Sequence, residues 1–336
     1  MTDQSEPSPI DPQETTLPDR IAAAEPTPPT EPIPEIATVP IYSETTSERK
    51  ESEQLLFQNF TRLPPPRQER IPHMGHIGIL ILLALGCLAV AAFAAQIAVT
   101  HHLFGVTTIT QAATEIHYTL GTEAVFYTLT LFASLLLFPA IWRRGFFAAL
   151  QWHASRARQH LAYLIGAAVI CFILAMFDGI FLPGPADAPI DRIFRTPGAA
   201  WILFAFGVTL APFFEELAFR GFLLPALSTA FDWIAEKVTD EPPHFLDQDG
   251  HPQWSIPAMV TASILTSLLF AALHADQTGY SLGPFLLLIL VSLVLCAVRL
   301  TLRSLAASVL VHATYNFLLF SFMFFGTSGF KHLENM

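Results

Sequence analysis

From residue 77 onward the chain is a succession of apolar runs, most of them the length of a bilayer crossing, separated by short polar stretches. Ile77–Val99, at about 23 residues, spans a hydrocarbon core of ~30 Å at 1.5 Å per residue. Ala124–Trp142 and Leu161–Leu182 follow. Ala199–Phe231 is too long for one simple span and is interrupted by charge, and Ile256–Ala275, Leu282–Val298 and Leu305–Phe325 complete the series. The pattern predicts an all-α, polytopic transmembrane helix bundle of seven spans, or eight if the long run divides. Charge is scarce: 13% of the 336 residues are charged and 52% are hydrophobic, where a soluble domain carries about 25% charge. A net charge of −11 also excludes a basic nucleic-acid-binding surface.

The first 70 residues are of another kind. They hold 13 of the 26 prolines and 13 of the 28 acidic residues. Too few large apolar groups are present to offset the entropy of ordering, so this part reads as a disordered, acidic, proline-rich tail with an interfacial segment at Leu55–Phe60. The expected organisation is tail 1–70, N-terminal transmembrane helices 71–198 and a catalytic transmembrane core 199–330. Basic residues bias loops to the cytoplasm. Arg62, Arg67 and Arg70 place the tail there, Arg143, Arg144, Arg156 and Arg158 mark a second cytoplasmic stretch, and Arg299 and Arg303 mark a third if there are seven spans. The side of the acidic loop 232–255 stays open. An integral protein of the plasma (inner) membrane is expected, with the lipid bilayer as its surroundings.

An ionisable side chain in a span costs roughly 2.5–3.5 kcal/mol at the helix centre and usually has a task. The costliest cluster is Glu215, Glu216 and Arg220. On a helix Glu216 and Arg220 are i and i+4 and share a face, whereas Glu215 is turned about 100° away and left without that partner. A buried ion pair accounts for Glu216 and Arg220 but not for the second acid. Phe270 and His274 stack on one helical face. His312 and Asn316, again i and i+4, aim an imidazole and a carboxamide at one point. Singly, these are polar groups that helices in membranes use for hydrogen bonds. Together they set two imidazoles, a free carboxylate and an amide on three spans of a nearly charge-free bundle.

Two readings of the chemistry stand. Glu215, His274 and His312 hold a divalent metal, Zn²⁺ first, with one position open for water. Alternatively Glu215 is the general base and the histidines orient the water without metal. Both lead to hydrolysis at a carbonyl, with Asn316 and one histidine as oxyanion donors. A transporter or ion relay would spread polar groups along several spans, and a non-catalytic membrane immunity or scaffold protein would not need Glu215.

The ordered set Glu215-Glu216-x-x-x-Arg220, Phe270-x-x-x-His274 and His312-x-x-x-Asn316 resembles the CPBP family of intramembrane proteases, which includes the CAAX prenyl endopeptidases of the Ras-converting type and the bacterial Abi proteins. The resemblance covers about residues 199–325 and shows no departure at these positions. It implies an endopeptidase whose site opens toward the cytosol and whose substrates are membrane-associated proteins or peptides, including lipidated Cys-a-a-X tails. It further implies that Glu215 activates water, that His274 and His312 bind metal or polarise the scissile carbonyl, and that Asn316 completes the oxyanion site. One tension remains: in straight spans Glu215, His274 and His312 lie at different depths, so at least one segment must be broken, tilted or re-entrant.

Overall fold

The computed structural model describes residues 70–182, 198–240, 246–247 and 250–330. The tail before Arg70, with Leu55–Phe60, lies outside the described residues. The described residues form an all-helical bundle with seven helical units long and apolar enough to cross a membrane. These are α1 (Met74–Thr100), α2 (Ile116–Trp142), α3 (Leu161–Phe181), a broken unit from Ala199 to Thr239, α7 (Ile256–Leu273), α8 (Leu282–Leu302) and α9 (Leu305–Gly326). The broken unit comprises α4 (Ala199–Val208), α5 (Leu210–Glu216), a π-helical turn (Leu217–Leu223) and α6 (Leu224–Thr239). Among the described residues the candidate spans therefore number seven. Leu82, Phe93, Leu136 and Ile180 point outward from the bundle, a surface that requires lipid.

The breaks have local causes. Pro212 offers no N–H to the helix behind it, and the chain leaves helical geometry at Thr209 (φ −117°, ψ −73°). The last carbonyls of a helix have no partner of their own. Here Thr209 serves two of them: its N–H donates to Phe206 O at 3.3 Å and its hydroxyl to Ala205 O at 2.6 Å. Asn316 serves a third, its amide donating to Gly207 O at 2.7 Å. Pro225 removes the donor that Gly221 O or Arg220 O would need from it, and the turn ahead of it widens to a π-helix. The Arg220 carbonyl instead accepts from Arg299 Nε on α8 at 3.2 Å.

The core lies in two main clusters. Leu164, Ala168, Cys171, Leu295, Val298, Ala307 and Val311 pack α3, α8 and α9 together, the small residues allowing close approach of backbones. Phe138, Trp142, Phe146, Leu150, Phe222 and Leu305 form an aromatic block joining α2, the π-turn and the start of α9, with Phe138 and Phe222 ring centroids 4.8 Å apart.

Polar ties gather on one rim. Arg70 donates twice to Glu236 (2.7 and 2.8 Å), Arg144 donates to Gly250 O at 2.9 Å, and Arg303 pairs with Asp247 at 3.0 Å. The loop after α6, whose side the sequence left open, thus lies on the same rim as the arginine-bearing turns.

Candidate active site

The site is built where the broken unit meets α7 and α9. Ser255 caps α7, its hydroxyl accepting from Ala258 N at 3.3 Å, while its N–H and hydroxyl donate to Asp232 (3.1 and 2.6 Å). Asp232 stands 17 residues beyond Glu215, and His274 stands 19 residues beyond Ser255. At 1.5 Å per residue both arms are roughly 25–28 Å long. The α6–α7 hairpin, closed at Asp232–Ser255, therefore returns the C-cap of α7 to the level of Glu215. On α9 the corresponding stretch, Ser304 to His312, is 8 residues, about 12 Å. The closed end of the hairpin accordingly lies further from the site than the start of α9 does, and the three depths coincide.

Three side chains from three helices then converge. His274 Nε2 and His312 Nε2 each stand 3.8 Å from the same oxygen, Glu215 Oε2. The opposite nitrogens are anchored. His274 Nδ1 lies 2.8 Å from Phe270 O, and a carbonyl can only accept, so Nδ1 carries the proton. His312 Nδ1 lies 3.0 Å from Glu216 Oε1, which also accepts from Arg220 Nη1 at 2.8 Å, so Nδ1 donates here too. In neutral rings both Nε2 atoms thus turn a lone pair toward the carboxylate. Three acceptors around one point suit a species that donates to all of them, or a cation.

The two adjacent acids are separated as the helical geometry predicts. Glu216 and Arg220 have fully buried side chains, and Glu215 keeps 18% exposure. The Arg220 guanidinium also donates to Ser292 O and Oγ on α8 (3.1 and 2.7 Å) and lies 4.8 Å from the Phe270 ring centroid. Phe270 stacks against His274 at 4.5 Å and meets Phe219 edge-on at 5.0 Å. Glu216, Arg220 and Phe270 thus hold the two imidazoles in place, as the carboxylate–histidine pairs behind metal and catalytic sites do.

Residues 197–318 match the family model described as type II CAAX prenyl endopeptidase, Rce1-like. It is this segment of the chain that is similar to the Rce1-like family. It contains all seven residues singled out from the sequence, and the matched family is one of proteases acting on membrane-associated proteins. No curated protein and no solved structure matches the chain.

Within this segment the donor set, two imidazoles and a carboxylate, is that of a Zn²⁺ site. Among the described residues, however, no group of three or more His, Cys, Asp or Glu side chains is arranged to hold an ion as it stands. Ligands of a tetrahedral zinc lie about 3.3 Å apart, so the 3.8 Å spacings at Glu215 would have to close by about half an ångström.

Several supporting residues were not legible in the sequence. Ser292 reads as an ordinary small residue of an apolar span, yet it anchors Arg220. Arg299, which reads as a topogenic charge, is buried and also donates to Gln151 Oε1 and Leu150 O (2.8 and 3.3 Å). The third concerns α2, which begins at Ile116, eight residues before the apolar run does, and so takes Glu123 into the helix. Glu123 accepts from the Tyr127 hydroxyl at 2.7 Å. The i, i+4 spacing was the available signal for this pair.

Proposed function

We propose that the protein is an intramembrane endopeptidase that hydrolyses peptide bonds of membrane-associated protein or peptide substrates with Glu215 as the base. The observation that carries this reading is the convergence of His274 Nε2 and His312 Nε2 on one oxygen of Glu215, whose neighbour Glu216 is the one paired with Arg220.

Glu215 takes a proton from water as the water oxygen attacks the scissile carbonyl carbon. One imidazole, neutral, accepts from the water on Nε2 and positions it against Glu215, and the other, entering the reaction as the imidazolium, donates from Nε2 to the oxyanion that develops. The C–N bond then breaks, and the leaving nitrogen takes the proton held by Glu215. Asn316 keeps one amide N–H beyond the one given to Gly207 O, and in this reading that hydrogen is the further oxyanion donor. Were a divalent metal bound, Glu215, His274 and His312 would hold it, and it would supply Lewis-acid polarisation and a more acidic water. The arginine-bearing rim faces the cytoplasm by the positive-inside bias, and with seven spans the end of α9 lies on the opposite side.

The test is cleavage of a fluorogenic peptide series, prenylated and unprenylated Cys-a-a-X tails included, by the full-length protein in proteoliposomes. Glu215→Gln is expected to lower kcat/KM by roughly 10²–10⁴-fold, and His312→Ala to do the same within that range. Retention of full cleavage by either variant would refute the mechanism. Metal content per chain, with binding measured after dialysis against chelator, decides the metal separately from activity.

A further inference from the structure

Glu123 is an acid inside a span with no basic partner among the described residues. Its one hydrogen bond there comes from a neutral phenol, the Tyr127 hydroxyl at 2.7 Å. Glu123 is only partly buried, which leaves its carboxylate within reach of an incoming group. A neutral phenol does not offset the charge of an acid carried on a helix of span length.

The pair is held in one place. The Tyr127 ring stacks on Phe214 at 4.7 Å and on Phe206 at 6.1 Å. Phe214 is the residue immediately before Glu215. Tyr127 is thus fixed against the segment that carries the base, and Glu123 follows one helical turn earlier. Glu123 is close enough to interact electrostatically with Glu215 and His274. Two carboxylates therefore act on the same space, and both terminal nitrogens of Arg220 are committed to Glu216 and Ser292. The negative potential between them attracts positive charge and rejects negative charge.

We propose that Glu123, held by Tyr127, is a specificity residue that receives a basic side chain of the peptide substrate beside the scissile bond. The inference rests on the endopeptidase reading and adds a substrate class to it. The Glu123 carboxylate accepts from the substrate ammonium or guanidinium, so the pairing is charge-assisted. Tyr127 leaves Glu123 one direction in which to present it.

The experiment uses full-length protein in proteoliposomes and peptides identical except for Lys, norleucine or Glu at one position flanking the cleaved bond. A hydrogen bond between charged groups corresponds to roughly a ten- to hundredfold preference for Lys over norleucine in kcat/KM, with Glu the poorest. Glu123→Gln is expected to bring the Lys-to-norleucine ratio close to one, and Tyr127→Phe, which keeps the stacked ring, to lower it part of the way. A wild-type ratio near one overturns the inference. So does a ratio that persists in Glu123→Gln, including the case where all peptides lose rate equally, which is the behaviour of an acid with only a structural role. Absence of cleavage of every peptide overturns the endopeptidase reading and this inference with it, whereas cleavage without Lys preference overturns the inference alone.

Discussion

Arg220 decides which of two adjacent carboxylates is available for chemistry. Its guanidinium is fully buried and is shared among Glu216 Oε1, Ser292 Oγ and Ser292 O, so Glu216 is neutralised and free only to hold His312. Glu215, one residue away, is rotated off that face. This division was legible in the sequence because it depends on helical spacing alone. Ser292 was not, because nothing in an apolar run marks one serine as an anchor. Ser292→Ala removes a charge-assisted hydrogen bond from a buried cation and is expected to cost about 1–3 kcal/mol. A lowered melting temperature in detergent would show it, and an unchanged one would mean that the Ser292 carbonyl suffices.

At the scale of elements, the unit from α4 to α6 is governed by two prolines and by the partners that other helices lend it. Asn316 takes up Gly207 O at the break, and Arg299 takes up Arg220 O in the π-turn. The need for a break was readable from the depths of Glu215, His274 and His312. Its position was not, since Pro212 and Pro225 flank the motif equally and only the packing of α8 and α9 shows how each is accommodated. The α3–α8 contact is tighter still. A Cβ on Gly283 would run into the Leu182 carbonyl and reach within 2.9 Å of Asp178 Oδ1, and a backbone carbonyl cannot swing aside as a side chain can. Gly283→Ala is therefore expected to destabilise by roughly 1–3 kcal/mol through overpacking, seen as earlier thermal unfolding, with activity per folded molecule retained.

For the whole molecule, the arginine-bearing rim is stitched by contacts distant in sequence: Arg70 to Glu236, Arg144 to Gly250, Arg303 to Asp247. His251 lies in this strap, buried and beside Arg144, and burial followed by that neighbouring charge lowers its pKa from 6.5 to about 4. The unfolded chain therefore binds a proton near pH 6.5 that the folded strap refuses until about pH 4. The contribution is fully present above pH 6.5, declines as pH falls, and levels off near pH 4. Protection factors of the strap amides, the exchange rates corrected for the intrinsic effect of pH, are expected to fall between pH 6.5 and about 4, and His251→Gln to remove that component. Protection factors insensitive to pH over this window would show that the strap tolerates the imidazolium.

The sequence by itself determined the all-helical membrane architecture, because runs of span length have one hydrogen-bonded solution in lipid. It also determined the separate fates of Glu215 and Glu216 and the candidates His274 and His312, because an ionisable or polar group in lipid is costly enough to stand out. Only the tertiary structure decided that three groups at unequal depths meet at one oxygen, that Asn316 spans to Gly207, and that Tyr127, which holds Glu123, packs on Phe214 from α2. These depend on where helices break and how far each hairpin extends, quantities set by packing between segments distant in sequence, up to the 109 residues between Gly207 and Asn316, and absent from any local pattern.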